Sequence, residues 1–283
     1  MGDIVVDVFP DRRRGYPGGN ALNVAAAWAL HFGDPVTLHG ICGDDLLGDH
    51  VVATLEEIGV TGRIRRAHGP TGQALVALDE AGDRRFVSNN HGGVQRDLAL
   101  RFGAAELGEL GRSDVIHTSV FSGVEHFLEE FAALAPVSYD LAEAPPLDEL
   151  PSFLRHLDVA FLSAGGLPSR ERADYARRVL ERGPRVVVLT VGAEGALAAA
   201  GDEVVEVGVE PVDVVDALGA GDAFIAGFLH EWVTRHSLPA ALQVGRATGA
   251  AACRSEGAFG HPVEVDDELI EALRVPSGPR RRR

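Results

Sequence analysis

The run Asp216-Ala217-Leu218-Gly219-Ala220-Gly221-Asp222 leads directly into Ala223-Phe224-Ile225-Ala226-Gly227-Phe228-Leu229, joining a turn of small residues to an apolar helix pattern. Small residues let a backbone approach a ligand closely. At the start of a helix, the free amides of Gly219, Ala220 and Gly221 converge at the positive end of the helix dipole, where an anion is favoured. A phosphoryl group in flight is such an anion. Asp222 then sets a carboxylate in the first helical turn beside that cradle, able to accept a proton from a hydroxyl that attacks phosphorus. The alternative is a plain glycine-rich turn whose Asp222 only caps the helix.

Working outward, short β-branched runs recur at Ile4 to Phe9, Val36 to Ile41, Val115 to Thr118, Val137 to Leu141, Val159 to Ser163 and Val186 to Val191. Helical patterns lie between them, at Ala21 to Phe32, Leu46 to Glu57, Arg170 to Glu181 and Ala223 to Arg235. This alternation predicts an α/β fold with a parallel sheet and helices on both faces. Two segments break the rhythm. Arg63 to Asn90 reads as a β-hairpin around Asp79 to Asp83, and Pro10 to Pro17 is a polar excursion after the first strand. Together they are expected to form a small sheet covering a cleft, which suits chemistry that must exclude water; two unrelated surface loops are the plainer reading. The tail from Pro276 to Arg283, with its terminal arginines, is expected to be disordered.

Composition excludes several functions. The 283 residues carry 42 acidic against 26 basic side chains, a formal charge of −16 that is poorly matched to nucleic acid or an anionic membrane. All the basic residues are arginine, which removes Schiff-base chemistry and the lysine-bearing phosphate loop. Cys42 and Cys253 stand in no metal-ligand spacing and read as reduced thiols of a cytoplasmic protein. The N-terminus lacks the basic-then-apolar order of a signal peptide, and the most apolar window, Ala21 to Phe32, is too short to span a bilayer.

A second glycine cluster, Gly18-Gly19-Asn20-Ala21-Leu22-Asn23, precedes the first helix. Its Asn side chains can donate to and accept from sugar hydroxyls, or the glycines simply turn the chain while Asn20 caps the helix. Asp7 is a carboxylate in an apolar strand and needs a partner, a ligand or a solvent-facing position. His117, Thr118 and Ser119 follow a strand, where open α/β sheets place ligand groups, although a satisfied core histidine reads equally well. Asp140 ends another strand and is open between substrate contact and structural hydrogen bonding. The small-residue helix around Ala247 to Ala252 offers a flat face to adenine or to a packed helix.

Together these residues resemble the ribokinase-like (PfkB) carbohydrate kinases over nearly the whole chain, and most resemble their fructoselysine 6-kinase branch. The C-terminal signature of that family corresponds to Asp216 through Leu229 and the N-terminal one to Gly18 through Gly43. The resemblance implies a three-layer α/β sandwich with a mostly parallel central sheet and a small β-sheet lid. It implies one domain over residues 1–283, with lid segments inserted at about 10–17 and 63–92. It further implies Asp222 as catalytic base, Gly219, Ala220 and Gly221 as the anion hole, and sugar contacts at Asp7, Gly18, Gly19, Asn20 and Asn23. Thr190, Gly192, Glu194 and Gly195 would touch ATP, with Mg2+ and a monovalent cation such as K+ as further cofactors. Asn89, Asn90 and His91 of the lid would bear on the choice of sugar. Expected partners are a small sugar, ATP and a second copy of the chain, paired through the lid.

The chain departs from the family pattern at four places. Ala217 stands where a Thr or another small polar residue is usual, and Ser163-Ala164-Gly165-Gly166 replaces the Asn-x-x-Glu that organises magnesium. Gly33 arrives one residue late, implying a small insertion. The first strand starts close to Met1, so the gene start is expected to lie further upstream, with some core β-structure missing. The rival readings are a kinase for fructose, ribose or 2-keto-3-deoxygluconate, and a non-catalytic sugar or nucleotide sensor on the same fold. A nicotinamide-dependent enzyme is disfavoured, because no Gly-x-Gly-x-x-Gly follows the first strand.

Overall fold

The β-branched runs in the second half of the chain form a buried sheet because both of their faces are apolar. The computed structural model describes residues 1–78 and 84–274. Among these, the strands are β1 (Val5–Phe9), β2 (Arg14–Gly18), β3 (Thr37–Gly43), β4 (Thr61–Ala67), β5 (Gly72–Leu78), β6 (Arg84–Asn89), β7 (Ile116–Ser119), β8 (Val137–Glu143), β9 (Val159–Ser163), β10 (Val186–Thr190), β11 (Ala196–Ala200), β12 (Glu203–Val207) and β13 (Val263–Glu264). The helices are α1 (Asn20–Phe32), α2 (Leu46–Glu57), α3 (Val94–Asp97), α4 (Ala104–Leu110), α5 (Leu128–Ala132), α6 (Ser169–Leu180), α7 (Ala220–Arg235), α8 (Leu238–Ala252) and α9 (Asp267–Arg274).

Six strands form one sheet in the order β12-β11-β10-β9-β8-β7, parallel from β7 to β10 and antiparallel at β11 and β12. Along β10, Val187 and Leu189 face a core shared with α4, α5 and α6, while Val186 and Val188 face one shared with α1, α7 and α8. That alternation produces the three layers. Every residue from Val186 to Leu189 is buried, as expected of a strand covered on both faces.

The second sheet has the order β13-β2-β1-β5-β6. It corrects the placement of the first β-branched run, which belongs to this covering sheet and not to the central one. The reason lies in its alternation. Val6 and Val8 point into an apolar cluster with α1, α2 and α9, whereas Val5 and Asp7 point the other way, into a cleft. The hairpin of β5 and β6 forms as expected, and the segment at 10–17 supplies most of β2. Residues 63–67 do not join it, because they lie in β4, which pairs in parallel with β3. That pair stands apart from the six-stranded sheet, so the run at Val36 to Ile41 is not a central strand either. The backbone of Met1 and Gly2 lies between the two sheets, donating to His117 O (2.6 Å) and His39 O (2.9 Å). The turn expected at 79–83 and the tail expected to be disordered at 276–283 lie outside the described residues.

The seam between α7 and α8 is close because small residues line it. A Cβ on Gly227 would lie 1.8 Å from Thr248 Oγ1, and one on Gly249 would lie 3.0 Å from Ala220 O. Gly245 and Gly249 of α8 are thus spent on helix packing, while Ala247 on the same helix stays exposed.

Candidate active site

Helix α7 opens at Ala220 because Gly219 takes a left-handed conformation, with φ +74°, and a Cβ there would lie 2.4 Å from the Ala258 methyl carbon. Asp216 pins the preceding turn. Its carboxylate accepts from Leu218 N at 2.7 Å and from Gly257 N at 3.0 Å, and the residue is buried. The amide of Ala220 donates back to Ala217 O at 3.3 Å, so it is not the free amide expected, whereas the other first-turn amides of α7 have no acceptor within the helix. Gly221 is exposed with open space where a side chain would be, so the helix start is accessible to a ligand.

Asp222 is the third residue of α7 and lines a cleft of about 900 Å³ between the two large sheets. Two asparagines of α1 hold it: Asn20 Nδ2 donates to its Oδ1 at 2.8 Å and Asn23 Nδ2 to its Oδ2 at 2.7 Å. The other amide proton of Asn20 goes to Asp140 Oδ2 at 2.7 Å, from the C-terminal part of β8. Asp140 Oδ1 also accepts from Ala142 N at 2.9 Å, so this residue both lines the cleft and fastens the strand end. Among the described residues Asn23 Oδ1 is buried without a hydrogen-bond partner, and Asn23 lines the cleft.

Burial raises the Asp222 carboxyl well above the ordinary carboxylate range; Asn23 and Asn20 pull it down, while the charges of Asp140 and Asp3 push it up. Burial likewise pushes Asp140 up to about 6. Carboxylates this close compete for ionisation, so the cluster binds protons at higher pH than exposed acids do.

The double glycine is explained by acids packed against it. A Cβ on Gly18 would lie 2.3 Å from Asp7 Oδ2, and one on Gly19 would lie 2.6 Å from Asp3 O. With no side chain on Gly19, Asp3 caps α1 from outside, accepting from Asn20 N at 2.8 Å and Ala21 N at 3.3 Å. Asp3 is the functional neighbour that the sequence reading missed. It shares with Asp7 the signal of a carboxylate beside an apolar strand.

The remaining candidates divide. Thr190, at the end of β10, lines the cleft beside Ser163, with the two hydroxyls 3.4 Å apart. Gly192, Glu194 and Gly195 follow in a tight turn outside the cleft lining, where Glu194 forms a two-pronged pair with Arg172 at 2.9 Å on each arm. Asn89 and His91 reach the cleft. Asn90 instead serves the backbone, accepting from Gln73 N at 2.8 Å and donating to Thr71 O at 2.7 Å. His117 touches Asn20, and Ser119 sits 3.4 Å from Asp3 Oδ1. Among the described residues no three His, Cys, Asp or Glu side chains gather to hold a metal ion.

A polar cleft at the C-terminal ends of parallel strands, with an anion-seeking helix start at one side, serves phosphoryl transfer to a small hydroxylated molecule. The chain belongs to the pfkB family carbohydrate kinases, whose sequence model matches residues 9–264. It is 38% identical over 271 residues to the fructosamine kinase of Bacillus subtilis (strain 168), covering 94% of this chain and 95% of that protein. Over 261 residues it is 31% identical to the fructoselysine 6-kinase of Escherichia coli (strain K12), covering 92% and 98%. The Arabidopsis thaliana ribokinase complexed with ribose and ATP has the same fold, with a TM-score of 0.78 at 19% identity over 98% of this chain and 97% of that one. The protein is thus an ATP-using sugar kinase on a ribokinase-like scaffold. No helix among the described residues is long and apolar enough to cross a membrane.

Proposed function

We propose that this kinase phosphorylates the 6-hydroxyl of a ketose carrying an amino acid on C1, with fructoselysine as the first choice. The observation that carries the reading is Asp222, held by two asparagine amides at the head of α7 and facing the cleft. In this reading the sugar 6-oxygen forms a bond to the γ-phosphorus of ATP as the bond from that phosphorus to ADP breaks, and the hydroxyl proton passes to Asp222. The amides of Gly219, Ala220 and Gly221 stabilise charge on the transferring group. Mg2+ arriving with ATP would supply further neutralisation, and the lid sheet excludes water.

The cleft suits an amine-bearing sugar. Asp7, Asp140 and Asp222 line its wall and favour a cationic ligand. Phe86 and Phe121 stand at the same cleft, 61% and 59% exposed, and offer apolar surface to a lysine stem. Gly18 and Gly19 shape the floor by admitting Asp7 and Asp3. The thiols Cys42 and Cys253 suit work in the reducing cytoplasm. The test is ADP release with fructoselysine, fructose, ribose and 2-keto-3-deoxygluconate, followed by phosphorus-coupled NMR of the product. Turnover should be highest with fructoselysine and the new coupling should fall on C6; faster turnover of an amine-free sugar would overturn the substrate assignment.

A further inference from the structure

We infer that His117 and Ser138 are positioning residues for the phosphoryl-transfer base, acting through Asn20. The inference rests on Asp222 being that base, and it begins with the amide of Asn20. With both acids ionised, the state in which Asp222 can accept a proton, the end of that amide lying 2.7 Å from Asp140 and 2.8 Å from Asp222 is the NH2, since only a donor can face two carboxylates. Its oxygen therefore faces His117 Nε2, 3.3 Å away, so Nε2 carries the ring proton. The other ring nitrogen, Nδ1, then has a lone pair and accepts from Ser138 Oγ at 3.0 Å. Ser138 is fully buried on β8, and His117 is the second residue of the neighbouring β7.

One orientation satisfies every member of this chain. The Ser138 hydroxyl sets the histidine tautomer, the tautomer sets the asparagine, and the asparagine aims one proton at each carboxylate. Burial lowers the His117 pKa to about 3, so the ring stays neutral through the working range and the orientation does not titrate. If the ring proton moved to Nδ1, Asn20 would turn over and present its oxygen to two acids. The charged groups facing Asp222 are Asp140 from β8 and Asp3 ahead of α1, both acidic, so Asn20 and Asn23 are its named donors.

The test compares His117→Gln with His117→Leu, alongside Asp222→Asn. Glutamine keeps a donor close to the Nε2 position; leucine keeps bulk without one. His117→Gln should stay within about threefold of the parent kcat. His117→Leu should lose about tenfold or more in kcat with little change in the KM for ATP, as expected when a reacting group is misplaced. Its acid limb in kcat/KM should move to higher pH, because Asp222 has lost a fixed donor. If His117→Leu melts below the assay temperature, Ser138→Ala replaces it, and the same upward displacement is expected in a variant that is still folded at the assay temperature. Equal kinetics for the Gln and Leu variants, or an unmoved acid limb in Ser138→Ala, would overturn the inference. Near-parental turnover in Asp222→Asn would instead overturn the reading on which it rests.

Discussion

At the scale of single residues, the site gathers acids that water would ordinarily keep apart. Asp222 works as a base only when ionised, and burial raises its pKa, so kcat/KM should fall as pH drops through a value well above that of an exposed aspartate. Stability runs the other way. Asp140 titrates near 6 in the fold against about 3.9 unfolded, so its contribution is fully present below the unfolded value and is lost as pH rises through about 6. The melting temperature of the parent relative to Asp140→Ala should therefore decline between pH 5 and 7.5; a flat or rising difference would contradict the assignment. Gly221 separates fold from chemistry. Nothing lies within 4 Å of an added Cβ, and alanine in place of glycine in a helix gains about 1 kcal/mol. Gly221→Ala should therefore melt no lower than the parent while losing turnover, because the methyl group narrows the approach to the helix amides. Unchanged turnover would show that no ligand comes close there.

At the scale of elements, two helices and a strand edge position the chemistry. The head of α7 is fixed by Asp216 below and Gly219 at the turn, and α1 is fixed by Asp3, so the carboxylate and the asparagines that hold it are anchored independently. The α7–α8 seam allows this rigidity. Gly227→Ala would ordinarily gain the helix preference of about 1 kcal/mol, but its methyl would meet Thr248 Oγ1 and Val244 O. Overpacking costs about 1–3 kcal/mol, so the clash wins and the melting temperature should drop by several degrees. A rise would mean that the seam relaxes easily.

At the scale of the whole molecule, the α/β layering and the helix opening at Asp222 were legible because local pattern alone dictates them. Val186 to Thr190 is apolar on both faces, and Gly219 to Asp222 carries its own turn chemistry. The destination of β1 was not legible. A β-branched run states that it is a strand but not which sheet it joins, and only the pairing with β2 and β5 decides that. Strand β11 was missed because Ala196 to Ala200 lacks β-branched residues and is a strand through tertiary packing, whereas β12 carries Val204, Val205 and Val207 and its short run was passed over. Asn20 and Asn23 were visible as polar residues on α1, yet their shared hold on Asp222 joins positions about 200 apart in the chain and exists only in three dimensions. The whole account turns on the proton that leaves the sugar hydroxyl. The most direct measurement is single-turnover phosphoryl transfer by folded Asp222→Asn at saturating fructoselysine and ATP. A fall of about 10²- to 10⁴-fold with sugar binding retained is expected; transfer at close to the parental rate would contradict it.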